Sequence, residues 1–431
     1  MSSERRPWNP DKAWADPLIG ILALLCLLAS SMALATRRQA AAQPPRAVSL
    51  QGRLMDLALG AQIALGLPSG RAPEPRDLTN PWDRALAAVL AAESKALEPA
   101  KRLVQAEPQD PAFKAAFEAA YLQGTSGTLP PAVREGLGSG LASRLLEARL
   151  APEGTRASAR KAAIESYHAR IATLLVLGGL VCLLALGGLA YGILLAANWP
   201  RPAPVGPRFP LPGRAVVLVF LGWFSGFFLT SLLASSLGSA LPALRPWTLP
   251  LAYASQAAWG LWLILQATGQ SFRELRSLLF PGRWGTSFAH ALGGWGLALA
   301  AIALLGLLLS PFLRGKASPQ EELVEGLRAA HGLQSVVLFL TVAVLAPCFE
   351  ELMMRGFLLG HLRTRWSPFP ALAATSLLFG FIHLQPLALP TLSTLGALLG
   401  LILLRTGDLR SSILIHGAWN GSIFLLVRAL T

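Results

Sequence analysis

The sequence predicts an all-α protein: a polytopic transmembrane helix bundle with a helical soluble domain inserted near its amino end. Three observations carry that expectation. The 431-residue chain is 53% hydrophobic and only 14% charged, with a mean hydropathy of +0.50, too apolar a balance for a water-soluble globule. Uncharged or nearly uncharged stretches of membrane-span length recur along it, about nine in all. One segment, 37–169, breaks that pattern with charges of both signs and frequent turn residues.

Residues 1–16 are polar, with Arg5, Arg6 and Lys12, and Leu18 to Ala35 is uncharged and long enough to span. The flanks resemble a signal peptide, but the run is long for one and Ala33-Leu34-Ala35 is its one cleavage-like site. We therefore read 1–36 as a cytoplasmic amino terminus with an uncleaved anchor.

The 37–169 segment carries turn signals at Pro44-Pro45, Pro68-Ser69-Gly70, Pro108, Gly124 to Gly127 and Pro130-Pro131. Helices are expected between them, over Val48–Leu67, Pro81–Ala106, Pro111–Leu122, Ala132–Leu150 and Thr155–Arg170. Leu86, Val89, Leu90 and Leu97 follow the helical period, and Asn80-Pro81 pairs a cap with proline at the first helical position. Glu107-Pro108-Gln109-Asp110-Pro111 between two helices resembles one helical-hairpin unit, which is not an array. No chemical constellation is visible in this soluble domain.

Beyond it, spans are expected at about 171–195, 214–236, 249–268, 287–309, 333–354, 369–386, 388–404 and 411–430. The first belongs to a 170–212 region that ends in a Pro-rich link, Trp199 to Pro212; the others form a 213–431 core. Lys316 to Ala330, with Glu321, Glu322 and Glu325, reads as an amphipathic connector with a solvated face.

The net charge is +14. No aromatic-and-basic module accompanies it, so it speaks for lipid contact and membrane orientation and against nucleic acid. Cys26, Cys182 and Cys348 lie in or beside apolar runs, with no metal-finger spacing. Arg201, Arg208 and Arg214, then Arg273, Arg276 and Arg283, then Arg363 and Arg365, then Arg405 and Arg410 fall in alternate loops. Of the loops between, one holds Arg245 alone and another no cation, while 310–332 is an exception with Arg314, Lys316 and Arg328. The bias predicts a cytoplasmic amino terminus and an extracytoplasmic 37–169 domain.

The chemistry concentrates near the carboxy end. Pro347-Cys348-Phe349-Glu350-Glu351-Leu352-Met353-Met354-Arg355-Gly356 sets two carboxylates and a guanidinium in an apolar chain. Each ionisable group at membrane depth costs ~2.5–3.5 kcal/mol or more, so such groups point to function. Glu351 and Arg355, spaced i, i+4, can pair on one helix face, with Glu350 turned about 100° away and left for chemistry. A structural salt bridge would use the same residues. His383 follows in Leu377-Leu378-Phe379-Gly380-Phe381-Ile382-His383, and His416 and Asn420 share one face of the last run. Carboxylate and imidazole together suit either a divalent metal such as zinc or acid–base work on a water. One shared polar cavity would satisfy Glu350, His383 and His416 together. At ~1.5 Å per residue, Glu350 and His416 fall toward one membrane face and His383 deeper. Either the Glu350 helix runs past Arg355 or helix tilt closes that gap.

Glu-Glu-x-x-x-Arg at 350–355, Phe-x-x-x-His at 379–383 and His-x-x-x-Asn at 416–420 resemble, in this order, the motifs of the CPBP family, the CAAX proteases and bacteriocin-processing enzymes also called Abi proteins. The resemblance covers 330–431 and extends toward 210; it is silent on 1–200. It implies an intramembrane endopeptidase acting on a peptide or membrane-protein substrate. Glu350 would activate water, with Glu351 assisting or held by Arg355; His383 and His416 would bind a metal or polarise the scissile carbonyl; Asn420 would hold the oxyanion. A zinc mechanism with Glu350, His383 and His416 as ligands and a metal-free glutamate–histidine mechanism both fit. The Ala/Leu/Gly/Pro/Arg composition suggests a bacterial source and hence an inner-membrane location, and prenylated substrates are not carried over. A non-catalytic immunity or scaffold protein and, behind it, a proton-coupled transporter are the other readings.

Overall fold

A computed structural model describes residues 7–42, 45–68, 72–198, 207–313 and 330–430. All of the 316–330 connector but Ala330, and most of the 199–212 link, lie outside the described residues. Everything regular that is described is helical, and the chain divides into two compact units.

One unit comprises Ala41–Leu180, Leu309–Ala329 and Leu426–Thr431. Its described helices are α2 (Leu50–Ala64), α3 (Pro81–Glu93), α4 (Leu97–Gln105), α5 (Pro111–Phe117), α6 (Pro131–Leu137), α7 (Leu141–Leu150) and the first half of α8 (Arg156–Ala197). They close over a core that includes Leu86, Leu90, Leu103, Phe113, Phe117 and Leu145. α3 begins as expected: Asn80 Oδ1 accepts from the Trp82 amide at 2.8 Å, with Pro81 behind it. The single helix expected over Pro81–Ala106 is two. Pro99 cannot sit in a helix interior without clashing with the carbonyl four residues back. The chain therefore turns through Lys95, at φ 63°, and restarts with Pro99 in the first turn of α4. The Ala132–Leu150 helix is split likewise, at Gly138, whose φ of 71° only glycine adopts without cost. The helix expected over Thr155–Arg170 does not stop there: α8 runs unbroken for 42 residues through the next expected span.

The other unit comprises Met1–Ala40, Val181–Leu308 and Ala330–Leu425. It holds most of α1 (Lys12–Ala42), the second half of α8, α9 (Gly213–Ala240), α10 (Thr248–Thr268), the short α11 (Phe272–Leu279) and α12 (Trp284–Leu313). After these come α13 (Leu333–Leu362), α14 (Pro368–Phe381), α15 (Leu389–Thr406) and α16 (Leu409–Leu430). Six described helices are long and apolar enough to cross a membrane: those at Lys12–Thr36, Glu153–Ala197, Gly213–Ala240, Trp284–Phe312, Leu333–Leu362 and Leu389–Thr406. Helices also occupy the three other expected positions. α10 and α16 have 21 and 22 residues but carry more polar side chains, the latter including His416 and Asn420. α14 has 14 residues, about 21 Å, short of a ~30 Å hydrocarbon core.

Two helix boundaries set the depth of the chemically active residues. The span expected over 333–354 continues to Leu362, so Gly356 is a helix-interior residue and not a break. The span expected over 369–386 ends at Phe381, because Pro386 cannot continue a helix and Leu384 takes a left-handed φ of 53°. His383 therefore sits in the turn after α14, not within a helix.

Candidate active site

The site is built on α13, which is not a uniform α-helix. At Thr341–Leu345 and again at Leu352–Leu358 it widens into π turns. Such bulges leave carbonyls without their usual partners and rotate the side chains beyond them. At the first, Asn420 Nδ2 donates to the Val342 carbonyl at 3.0 Å, tying α16 to α13. α16 comes that close because Gly417 faces the Ala343 carbonyl, where a Cβ would lie 2.6 Å from the oxygen. The second bulge comes directly after Glu350 and Glu351.

The two carboxylates end in different surroundings. The Glu351 side chain is fully buried, and its Oε1 accepts from Arg355 Nη1 at 2.9 Å and from His416 Nδ1 at 2.9 Å. The Glu350 side chain keeps 16% of its surface exposed, with Oε2 3.8 Å from His416 Nε2. A carboxylate that already accepts from a guanidinium takes the imidazole proton at Nδ1. We assign that tautomer from the bonding pattern, and it turns Nε2 toward Glu350. His416 is thus a hinge between a buried, charge-balanced Glu351 and an accessible Glu350.

Arg355 is itself enclosed, with 1% of its side chain exposed. Its guanidinium lies 4.3 Å from the centroid of the Phe379 ring, a cation–π contact that partly replaces lost hydration. It fits there because Gly396 on α15 has no side chain: a Cβ would stand 3.0 Å from Arg355 Nη2 and 3.2 Å from Ser376 Cα. Phe379 also meets His383 edge-on at 4.9 Å and His416 at 5.6 Å between centroids. His383 Nδ1 donates to the Phe379 carbonyl at 2.6 Å. Phe379 is therefore the wall on which the arginine and both histidines are arranged.

Of the residues singled out in the sequence, Glu350, Glu351, Arg355, Phe379, His383 and His416 are gathered here, while the Asn420 amide is engaged with Val342. The sequence reading missed Val342, Ser376, Gly396 and Gly417. Two of these carried a signal, since Gly396 to Gly400 and Gly417 to Gly421 are both G-x-x-x-G patterns of the kind that let membrane helices approach closely. Buried polar atoms without a hydrogen bond among the described residues include Glu351 Oε2 and Arg355 Nη2.

The gathered set defines the class first: a multi-pass membrane protein with paired glutamates and histidines on adjoining helices. The comparison with known families agrees. Residues 332–422 match the family described as type II CAAX prenyl endopeptidase Rce1-like, and all the site residues lie within that stretch. The match covers the carboxy-terminal segment alone and is consistent with the CPBP resemblance of the three motifs. A relative from Escherichia coli, known as "Uncharacterized 24.3 kDa protein", is 34% identical over 130 residues, 28% of this chain and 58% of its own. The chain thus spans less than two thirds of that relative's length. No solved structure matches the chain.

Proposed function

We propose that the chain cleaves peptide bonds at the membrane with Glu350 as the general base. The observation that carries this is the division of labour between adjacent carboxylates: Glu351 is buried against Arg355 and His416, whereas Glu350 is partly exposed, 3.8 Å from His416 Nε2. A water beside Glu350 gives it a proton as the water oxygen attacks the scissile carbonyl carbon. Charge gathers on the carbonyl oxygen, and since the Nδ1 protons of His416 and His383 are already engaged, either imidazole would stabilise it from Nε2 only as an imidazolium. Glu350 then passes the proton to the departing amine nitrogen as the C–N bond breaks. Glu351 and Arg355 hold His416 in its tautomer. Asn420 acts as the strut that keeps the widened turn of α13 against α16. An oxyanion role for it would require its amide to leave Val342.

The donors are of the kind zinc takes, and each imidazole is pinned through Nδ1 to an oxygen, as metal-bound histidines are. As arranged, however, no three His, Cys, Asp or Glu side chains among the described residues form one ligand group. The steps above accordingly need only the side chains.

The substrate proposed is a peptide or membrane protein whose scissile bond lies in or beside an apolar segment. Glu350→Gln should lower its cleavage by about 10²- to 10⁴-fold, the usual worth of general acid–base catalysis, with thermal unfolding unchanged. Undiminished cleavage would take the base's role away from Glu350, and no cleavage by the unmutated chain would leave the immunity, scaffold or transporter readings. A rate abolished by chelation and restored by zinc would assign the water to a bound ion.

On the arginine bias of the short loops, the proposed setting is a bacterial inner membrane, with 37–169 extracytoplasmic as a soluble domain between the 1–36 anchor and the 170–212 helix and linker. A single cysteine at position 127, in a background without the native ones, should label from outside the cell. Labelling from the cytoplasm alone would invert the topology.

A further inference from the structure

The corner between α10 and α12 carries charge that the proposed reaction does not use. α10 ends at Gly269, in a left-handed cap, and α11 starts two residues later with a capping box: Ser271 accepts from the Glu274 amide, and Glu274 Oε2 accepts from the Ser271 amide and hydroxyl, both at 2.7 Å. The glutamate is thereby turned back on its own helix start. α11 buries Leu275 and Leu279 and leaves Phe272, Arg273 and Arg276 exposed. Arg283 and Trp284, also exposed, complete the corner. Trp284 opens one of the membrane-spanning candidates, so the corner lies where a span meets the membrane surface. Large aromatic side chains beside arginines are what such a level favours.

We propose that this corner binds anionic phospholipid headgroups of the surrounding bilayer. The argument is charge complementarity at a fixed depth. Three exposed arginines stand in a stretch, 269–286, whose one acid, Glu274, is occupied by its own helix cap, and Phe272 and Trp284, 59% and 62% exposed, are set to enter the acyl boundary.

The site is also joined to the catalytic helices. Leu279 packs where a Cβ on Gly356 of α13 would lie, 3.1 Å from its Cδ2. Arg410, at the start of α16, donates to the carbonyls of Phe280 and Gly282 and stacks over Phe280 and Trp284. Beside it, Asp408 accepts from Ser287 Oγ at 2.7 Å. Headgroups held here therefore bear on the helices that carry Glu350 and His416.

The test uses the full chain in neutral detergent and reads lipid binding, so it is independent of whether cleavage is ever detected. Retained lipid is counted by native mass spectrometry, and the shift in unfolding temperature is followed as phosphatidylglycerol or phosphatidylcholine is added. The expected result is a preference for phosphatidylglycerol that weakens with salt and falls about a hundredfold in the variant Arg273→Gln/Arg276→Gln/Arg283→Gln, at about fivefold per arginine. An unchanged preference in that variant would overturn the proposal. So would an equal loss per arginine in Arg245→Gln, which would mean that charge anywhere suffices. A shift reproduced by inorganic phosphate or by a soluble acidic peptide would overturn the lipid assignment in favour of that anion.

Discussion

Each compact unit contains a fully buried glutamate, and the two are built differently. In the 41–180 region Glu93 has 0% of its side chain exposed and is saturated: Oε1 accepts from Arg149 Nε at 2.7 Å and Tyr121 Oη at 3.2 Å, Oε2 from Arg160 Nε at 2.8 Å. The two arginines are 42% and 40% exposed, so the cluster reaches water. In the membrane unit Glu351 is equally buried but accepts both of its bonds on one oxygen, from an imidazole and from a guanidinium that is itself enclosed. A second glutamate stands next to it, across that imidazole. A saturated buried carboxylate fastens helices together. An enclosed one that shares its histidine with an accessible neighbour is, under the proposed reaction, placed to tune that neighbour. The difference lies in what the cluster leaves over for a third party, not in burial.

The largest expected effect breaks the membrane cluster. Arg355→Ala leaves the Glu351 carboxylate enclosed without its cation, at a cost of about 3–5 kcal/mol, and should lower expression and detergent-phase thermal stability as well as cleavage. Arg355→Met with Glu351→Gln removes both charges and should recover most of the stability and none of the activity, because His416 loses the carboxylate that fixes its tautomer. Recovery of activity in that double variant would make the pair a plain structural salt bridge.

The matching change in the other unit should do less. Glu93→Ala releases Arg149 and Arg160 to solvent instead of stranding them, so the loss is of hydrogen bonds and packing, about 1–3 kcal/mol. Cleavage by the membrane unit should be unaffected. A loss as large as that of Arg355→Ala, read on the same unfolding assay, would erase the distinction drawn between the clusters.

How far this could be read from sequence depends on the range of each interaction. Helices and the Glu351–Arg355 pair are local, decided by apolar runs and an i, i+4 spacing, and they were legible. The three motifs in order also singled out Phe379, His383 and His416, whose rings the fold brings together, and Glu350, which it sets beside His416. What was hidden is set by contacts between distant segments. No run of residues announces that α13 widens at Thr341–Leu345, since the bulge is held by an amide 78 positions away, on Asn420. The fit of Arg355 depends on a missing Cβ at Gly396. Breaks inside expected helices did leave local marks, Pro99 and Gly138 in one unit and Pro386 in the other. Gly356 shows why such marks mislead: glycine also serves where another helix must come close, and there the helix continues.

The smallest expected effect tests the comparison through pH. Asp56, on α2, is a third buried carboxylate, 4% exposed, and lies outside the membrane spans. Its oxygens accept from the amides of Leu141 and Ala142, both at 3.0 Å, and from Tyr167 Oη at 3.2 Å. Burial pushes its carboxyl above the usual carboxylate range, outweighing those hydrogen bonds and the charge of Arg170, which pull it down. A group whose folded pKa is raised holds its proton longer in the native state. Its contribution is therefore complete below the unfolded value, ~3.9, and is lost as pH rises through the folded one. Unfolding temperature of the full chain should thus decline over that window by an amount that Asp56→Asn removes, the neutral amide having no proton to lose. A slope that survives Asp56→Asn would lift the strain from Asp56 and make it a satisfied fastener at the start of α7, where it accepts from the Leu141 and Ala142 amides.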